Sequence, residues 1–161
     1  GKISNGDETM FFYIIAIVFL MDQGSKAAVQ MWMYQGESIA IVKPVFYLTY
    51  ILNPGAAFGF LAHQTNLLIV VTVILVLGVL LAYRSLSLER AFMRYGLGLV
   101  VGGALGNLVD RLRFGRVIDF LDFRVWPVFN LADSAIVIGV CLLILEFLKD
   151  AAKKPDQGSG S

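Results

Sequence analysis

Long apolar segments separated by short polar ones dominate the hydropathy pattern of the chain. The apolar segments cover about residues 10–34, 66–83, 95–109 and 128–148. A helix needs roughly 20 residues to cross a bilayer. The second and fourth segments reach that length, the third does so if its helix begins near Ala91, and the first carries a polar patch at residues 22–26. The pattern predicts an all-α integral membrane protein, a four-transmembrane-helix bundle with both termini on the same side.

The stretch between the first two spans has a different pattern. Residues 37–52 are rich in Ile, Val, Tyr and Thr, and they lie between Gly36 and the turn-forming sequence Asn53-Pro54-Gly55. Such enrichment between turn formers is typical of one or two short strands. An open sheet edge cannot face lipid within the hydrocarbon region. We therefore expect a small extracytoplasmic β-sheet between helices 1 and 2.

Both ends of the chain are polar and lack periodicity. We predict an N-terminal tail or engineered extension at residues 1–9, a membrane-embedded domain at residues 10–150 and a disordered C-terminal tail at residues 151–161. The first apolar run is not followed by the small-residue cleavage site of a secretory signal peptide, so we interpret it as a retained helix.

Composition supports a membrane location and excludes several other classes. The chain is 58% apolar and only 16% charged, whereas soluble domains average roughly 45–50% and 25%. The net charge of +1 gives no basic excess for nucleic acid. One Cys and one His exclude an intrachain disulfide and argue against a zinc site, which usually gathers three or four such ligands. We expect no metal and no cofactor.

The orientation of the bundle follows from its basic residues. Seven Lys and Arg fall on the side of the termini and six on the opposite side, which is close to a balance. Three of the seven crowd into residues 84–94, however, and three more follow the fourth span. The positive-inside rule weighs such clusters next to helix ends. We therefore expect cytoplasmic termini.

The third span carries glycines at a spacing of four. Gly98, Gly102 and Gly106 repeat at this interval, and small residues so placed allow helices to approach closely in lipid. We predict that this stripe packs inside the bundle, with homodimerisation through the same face as the alternative, and we expect a monomer.

Seven ionisable residues lie in or beside the apolar segments, all near the membrane face opposite the termini. A charge at the bilayer centre costs roughly 2.5–3.5 kcal/mol on insertion scales, so such residues indicate function. Their clustering at one face predicts a polar site in the outer half of the bundle. The seven are Asp22, Lys26, Asp110, Arg111, Asp119, Asp122 and Asp133.

Carboxylates are the best candidates for chemistry at this site. His63 lies in a short polar loop, Cys141 lies within an apolar helix, and the adjacent Ser25 and Lys26 would point apart on a helix. Two aspartates held close together share a proton, and such a pair can act as acid and base on a bound water. This chemistry would hydrolyse a peptide without a metal.

Four blocks of sequence resemble the motifs of the lipoprotein signal peptidases, also called type II signal peptidases. The resemblance covers about residues 10–150, and all four blocks occur in order. They are Asp22-Gln23-Gly24-Ser25-Lys26, the stretch from Asn53 to Gly59, the stretch from Gly102 to Phe120, and Phe129-Asn130-Leu131-Ala132-Asp133-Ser134.

The resemblance implies an aspartic endopeptidase of the bacterial inner membrane. Such enzymes remove the signal peptide from prolipoproteins, cutting before a Cys that carries a diacylglyceryl group. The implied partners are this substrate, membrane lipid and the inhibitor globomycin. Matching by position places the catalytic pair on Asp119 and Asp133. The matched supporting or substrate-binding residues are Asp22, Lys26, Asn53, Gly55, Asn107, Asp110, Arg111 and Asn130.

Alternatives remain at the levels of residue and function. Asp110 is a competing member of the pair, but the adjacent Arg111 would hold its carboxylate ionised and structural. Asp122 lies outside the matched positions, and we predict a solvated loop charge there. Four spans with buried carboxylates also suit a proton-coupled transporter or channel, and the glycine-rich third span would suffice for a scaffold.

Overall fold

Four long helices and three strands make up the protein. The computed structural model describes residues 5–55, 63–88 and 90–153. In chain order the elements are α1 (Asn5–Trp32), β1 (Ser38–Val42), β2 (Phe46–Asn53), α2 (Thr65–Ala82) with a short 3₁₀ turn (Tyr83–Ser85), α3 (Ala91–Phe114), β3 (Val117–Asp122) and α4 (Leu131–Ala152). All four helices are long and apolar enough to cross a membrane. The predicted fold class, a four-helix membrane bundle with a small sheet, is confirmed.

The outer helices extend beyond the boundaries that hydropathy predicts. α1 begins at Asn5, so the latter part of the predicted N-terminal tail is helical. Asp7 and Glu8 lie in its first turn, where negative charge favours the helix N-terminus. At the other end α4 continues to Ala152, two residues into the predicted C-terminal tail.

The sheet has one strand more than the sequence predicts. Its antiparallel strands lie in the order β1-β2-β3, so the last strand comes from the chain after α3 and not from the stretch between helices 1 and 2. Five of the six residues of β3 are buried. A strand buried on both faces lacks the alternation of apolar and polar residues that identifies strands from sequence, which explains why this element was missed.

Close packing of α3 places it at the centre of the bundle. A Cβ atom added at Gly98 or Gly102 would lie 2.8 Å from Ile14 or Val18 of α1. One added at Gly103 would lie 2.5 Å from a backbone oxygen of α4. These distances are too short for a real side chain, so the small residues are required for the helices to touch. The prediction that the glycine stripe packs within the bundle is confirmed.

The sheet covers the end of the bundle opposite the termini. Tyr50, Ile118 and Phe120 pack on Val29 and Met33 at the C-terminal end of α1. α3 ends at Gly115, whose φ of 67° is a left-handed conformation that suits glycine. The chain reverses there and enters β3 directly. This reversal brings the end of α3, the sheet and the start of α4 to one place.

Candidate active site

Lys26 is at the centre of a buried ionic cluster. Its side-chain nitrogen lies 2.8 Å from a carboxylate oxygen of Asp22 and 2.8 Å from one of Asp110. It also donates a hydrogen bond of 3.1 Å to the side-chain oxygen of Asn107. An ammonium group has three N–H donors, so three acceptors satisfy it fully. Lys26 is only 1% exposed, and the cluster is therefore a structural junction between α1 and α3.

The acidic members of this cluster also bind backbone groups of other elements. Asp22 accepts a hydrogen bond of 2.9 Å from the backbone N–H of Ala132, at the start of α4. Asp110 accepts one of 3.0 Å from the backbone N–H of Ile118 in β3. Gly106 makes room for this arrangement, since a Cβ atom there would lie 2.3 Å from the Asp22 carboxylate. The cluster thus fixes four elements relative to one another.

The ionic partner of Asp110 is not the one expected from sequence. Arg111 is its neighbour along the chain, but adjacent helical residues point apart, and the ion pair forms with Lys26. Arg111 instead lines a cavity on another side of α3. The ion pair of Asp110 therefore forms with a residue 84 positions away in sequence. Gln23, which was not among the predicted site residues, also donates a hydrogen bond of 3.0 Å to Asp110.

Two asparagines connect the ionic cluster to a second pair of carboxylates. Asn107 accepts from Lys26 and donates a 2.8 Å hydrogen bond to Asp133. Asn130 donates from one amide nitrogen to Asp119 at 2.7 Å and to the Asn107 oxygen at 3.1 Å. Because the ammonium of Lys26 can only donate, it fixes the orientation of the Asn107 amide. That amide therefore presents its N–H group to Asp133.

Asp133 lies in the first turn of α4 and forms a reciprocal cap with Asn130. The backbone N–H of Asp133 donates to the Asn130 side chain at 2.9 Å, and the backbone N–H of Asn130 donates to the Asp133 carboxylate at 3.2 Å. This pattern is a capping box, which satisfies two N–H groups that would otherwise lack partners. The position of the Asp133 side chain is thus fixed by the helix start itself.

Asp119 is held on β3 by two side-chain amides. Asn53 at the end of β2 and Asn130 each donate to its carboxylate at 2.7 Å. The side chain is buried, with 2% of Asp119 exposed. Burial, together with the nearby charge of Asp133, raises the pKa of Asp119 to about 7, and the two amide hydrogen bonds only partly oppose this. Asp119 therefore titrates near neutral pH.

Asp119 and Asp133 line the same cavity. Its volume is about 390 Å³, and its polar end also includes Asn53, Gly55, Asn107 and Arg111. Its other walls are mostly apolar. They consist of Val71, Thr72 and Leu75 from α2, Val100 and Ala104 from α3, Ile136 and Val137 from α4, Val117, and the loop residues Trp126, Pro127, Val128 and Phe129. The cavity therefore combines a polar end, which holds the two carboxylates, with apolar walls formed mainly by the helices. Residues 56–59 of the second sequence block lie outside the described residues.

Asp122 differs from its prediction as a solvated loop charge. It is the last residue of β3 and is buried. Thr49 donates to it at 2.7 Å, and the backbone N–H of Arg124 donates at 2.9 Å. Burial would raise the pKa of Asp122, but these hydrogen bonds and the charge of Arg124 together lower it. The sequence could not show this, because its partners lie on another strand and a following loop.

Fold and site together define a multi-pass membrane protein with two aspartates at one cavity. A sequence model of the family described as signal peptidase (SPase) II matches residues 14–149. A lipoprotein signal peptidase of Pelotomaculum thermopropionicum is 62% identical over 88% of this chain and 93% of its own. The lipoprotein signal peptidase of Moorella thermoacetica is 48% identical over 89% of this chain and 96% of its own.

Solved structures agree with these sequence matches. A bacterial membrane enzyme determined by the in meso method at 2.3 Å resolution superposes with a TM-score of 0.84 at 30% identity, covering 93% of this chain and 94% of the other. The chain belongs to the signal peptidase II family of proteases. It is an enzyme that removes signal peptides from lipoproteins, which sets aside the transporter and the scaffold as alternatives.

Proposed function

We propose that the chain is an aspartic endopeptidase that cuts bacterial prolipoproteins just before the diacylglyceryl-modified Cys, with Asp119 and Asp133 activating a water. The observation that carries this assignment is the difference between two pairs of carboxylates. Asp22 and Asp110 are bound to Lys26. Asp119 and Asp133 open onto the cavity and receive only amide N–H groups in the hydrogen bonds described above.

The pair divides the acid and base roles according to its surroundings. Asp119, with its pKa raised to about 7, is the acid of the pair. Asp133 as a carboxylate accepts a proton from water while the water oxygen attacks the scissile carbonyl carbon. Asp119 donates its proton to the carbonyl oxygen. When the tetrahedral intermediate breaks, its C–N bond cleaves, the proton on Asp133 passes to the leaving nitrogen, and Asp119 recovers a proton from a hydroxyl of the intermediate, which restores the starting pair.

The surrounding polar residues would hold the pair and the substrate in place. The backbone N–H of Gly55 donates at 2.9 Å to the oxygen of Asn53, so the Asn53 amide turns its N–H toward Asp119. Asn107 and Asn130 orient the two carboxylates as described. Arg111, on the cavity wall, is placed to bind a carbonyl oxygen of the substrate.

The apolar walls explain why the substrate should carry lipid. Away from the polar end, the helix residues that line the cavity are aliphatic apart from Thr72, so they suit acyl chains and an apolar signal segment that enter from the bilayer. The inhibitor globomycin is expected to compete for the same cavity. We place the enzyme in the inner membrane with cytoplasmic termini and the site near the extracytoplasmic face. Support comes from the sheet, which covers the end of the bundle opposite the termini.

Cleavage assays on the purified full chain in detergent test this function. The substrate is a precursor peptide with or without the diacylglyceryl group, and product masses identify the cleaved bond. We expect rapid cleavage before the modified Cys, little cleavage of the unmodified peptide, inhibition by globomycin and full activity in the presence of a chelator. Equal rates on the two peptides would refute the lipid dependence.

Substitutions test the catalytic pair in the same assay. Asp119→Asn and Asp133→Asn should each lower kcat by ~10³-fold or more, and the double variant should be little worse, because the two residues act as a unit. Asp150→Asn is the matched control, since Asp150 pairs with Arg90 at the far end of the bundle. A fully active Asp119→Asn variant would refute the assignment.

A further inference from the structure

The segment 123–129, which we call the rim loop, forms one wall of the cavity. All of it except Phe129 lies between the third and fourth sequence blocks, so the family resemblance assigns residues 123–128 no role. The loop leaves the sheet after Asp122 and returns where Phe129 and Leu121 exchange backbone hydrogen bonds of 2.8 and 3.1 Å. Its second half, residues 126–129, lines the cavity. Trp126 lines the cavity although it is 70% exposed. Most of the surface of this large side chain is therefore not covered by other residues of the protein.

The first half of the rim loop is fastened to the sheet by Arg124. The Arg124 guanidinium lies 3.7 Å from the ring centre of Tyr47 and donates at 2.6 Å to the Ser38 hydroxyl. Asp122 accepts from the Arg124 backbone at 2.9 Å and from Thr49 at 2.7 Å. We call these five residues, Ser38, Tyr47, Thr49, Asp122 and Arg124, the latch. Arg124 has a left-handed φ of 63°, which a residue with a side chain seldom adopts unless its surroundings hold it there.

The latch and the cavity lie along the same pair of strands. Asp122 of the latch pairs with Tyr47, and Asp119 at the cavity pairs with Ile51. The rim loop begins where β3 ends, and its second half lines the cavity. The loop therefore connects the latch to the cavity.

The two sides of the cavity would meet different parts of the substrate. This step rests on the proposed function. The helix walls adjoin the bilayer. They suit the signal segment, which precedes the modified Cys, and the acyl chains, which are attached to it. The rim loop belongs to the sheet side, where the chain after the cut leaves the membrane. Trp126, Pro127 and Val128 make that side apolar and bulky.

We propose that Trp126 is a specificity-determining residue that contacts the side chains immediately after the lipidated Cys, and that Arg124 is a positioning residue that holds Trp126 there through the latch. The enzyme should accordingly favour bulky apolar residues over glycine at those positions. The preference belongs to substrate binding, since the Trp126 side chain has no group that acts as acid or base at neutral pH.

Two diacylglyceryl peptides that differ only after the Cys test the proposal. One carries Leu-Leu and the other Gly-Gly at the next two positions. In the wild type we expect the lower KM for the Leu-Leu peptide. Trp126→Ala should raise that KM by about tenfold, a typical loss for a tryptophan anchor, while changing the KM of the Gly-Gly peptide by less than about twofold and leaving kcat the same for both.

A double-variant comparison separates positioning from general stability. Arg124→Ala should raise the KM for the Leu-Leu peptide in the wild type but add little in the Trp126→Ala background, because its effect passes through that residue. Arg113→Ala is the matched control, since Arg113 also stacks on an aromatic ring, that of Phe114, at 4.8 Å but lies on α3. It should alter neither peptide's KM.

Several results would overturn the proposal. Equal losses on both peptides in Trp126→Ala would make Trp126 a membrane anchor or a general structural residue. Additive effects of Arg124→Ala and Trp126→Ala would remove the positioning role of Arg124. Wild-type enzyme that fails to cut either peptide before the Cys would instead refute the proposed function, so the two failures are distinguishable.

Discussion

Individual aspartates of this protein acquire different chemistry from their surroundings. Asp110 and Asp119 are both buried and lie near each other in sequence. The carboxylate of Asp110 pairs with the ammonium of Lys26 and accepts a hydrogen bond from the backbone N–H of Ile118. The carboxylate of Asp119 accepts hydrogen bonds from the side-chain amides of Asn53 and Asn130 and lines the cavity. The direct ion pair with Lys26 makes Asp110 a structural group. Burial and the nearby charge of Asp133 instead raise the pKa of Asp119 to about 7, so that its proton can be transferred near neutral pH.

The raised pKa of Asp119 predicts how stability depends on pH. With a folded pKa of about 7 against about 3.9 in the unfolded chain, the native state binds more protons between these values. Stability should therefore fall as pH rises through this window. Asp119→Asn removes the cost of the buried charge, as much as about 4 kcal/mol at pH 8. We expect its thermal midpoint to exceed that of the wild type at pH 8 by more than it does at pH 4. An equal difference at both pH values would contradict the assignment.

Activity should depend on the same titration, and it should also fall as pH rises. If the singly protonated pair is the active form, kcat should fall as pH rises above about 7, and the profile should be bell-shaped with limbs that belong to the pair. Rates measured from pH 4 to pH 9 on the lipidated peptide check this. A rate that keeps rising to pH 9 would argue against a proton held by the pair.

Asp110→Asn should behave differently from Asp119→Asn. The change leaves the buried Lys26 with one carboxylate fewer, and breaking a buried pair costs about 3–5 kcal/mol. We expect a lower folded yield and thermal midpoint, with turnover per folded molecule reduced far less than in Asp119→Asn. Activity normalised to the monodisperse fraction in the same detergent decides the matter. A well-folded but inactive Asp110→Asn variant would mean that the wrong aspartate has been placed in the pair.

At the level of elements, α3 determines how closely the bundle can pack. Its glycines face two helices: Gly98, Gly102 and Gly106 meet α1, while Gly96 and Gly103 meet α4. Apolar side chains gain little from hiding from lipid, so close van der Waals packing is what associates helices in a membrane. The same close packing brings Asp22 of α1 within hydrogen-bond distance of Ala132 of α4, where the ionic cluster forms. Helix packing and site construction thus depend on the same residues.

Gly103→Ala tests this packing. The new Cβ atom would lie 2.5 Å from the backbone oxygen of Ala132, and backbone cannot yield as a side chain can. We expect destabilisation of roughly 1–3 kcal/mol, typical of an overpacked core. Gly78→Ala on α2 is the control, because nothing lies within 4 Å of its Cβ position; it should gain about 0.5–1 kcal/mol from helix propensity. Similar thermal midpoints for the two variants would show that α3 can shift without cost.

At the level of the whole molecule, the two ends of the bundle differ in their electrostatics. The site end holds a buried network joined to the sheet. The terminus end holds ion pairs nearer the surface, where Arg94 binds Asp7, and Arg90 binds Asp150 and lies 3.6 Å from Glu146. These pairs connect α3 with α1 and α4. Basic residues beside helix ends set orientation, so this end is expected to face the cytoplasm.

Labelling of single cysteines tests the orientation. In a Cys141→Ser background, Lys43→Cys reports on the turn between β1 and β2, and Ser85→Cys reports on the turn after α2. Both positions are exposed. A maleimide that cannot cross membranes should label Lys43→Cys in intact cells and Ser85→Cys only after permeabilisation. A reporter fused after Lys154 should be active only as a cytoplasmic protein. The reverse labelling pattern would invert the proposed topology.

The sequence alone determined the features that depend on residues close together in the chain. Span length and apolar content predict the four helices, and the strand-rich stretch before Asn53 predicts the first part of the sheet, because hydropathy and propensity are local properties. The four blocks likewise placed the candidate residues in advance. Only the tertiary structure decided their partners. Asp22 reaches Ala132 across 110 positions, and Asp110 pairs with Lys26 instead of its neighbour. It also decided that β3 joins the sheet, that Asp122 is buried and that Arg124 fastens the rim loop. These contacts arise when close packing of α3 and the reversal at Gly115 bring distant segments together, and no local pattern encodes which of several buried aspartates will be neutralised.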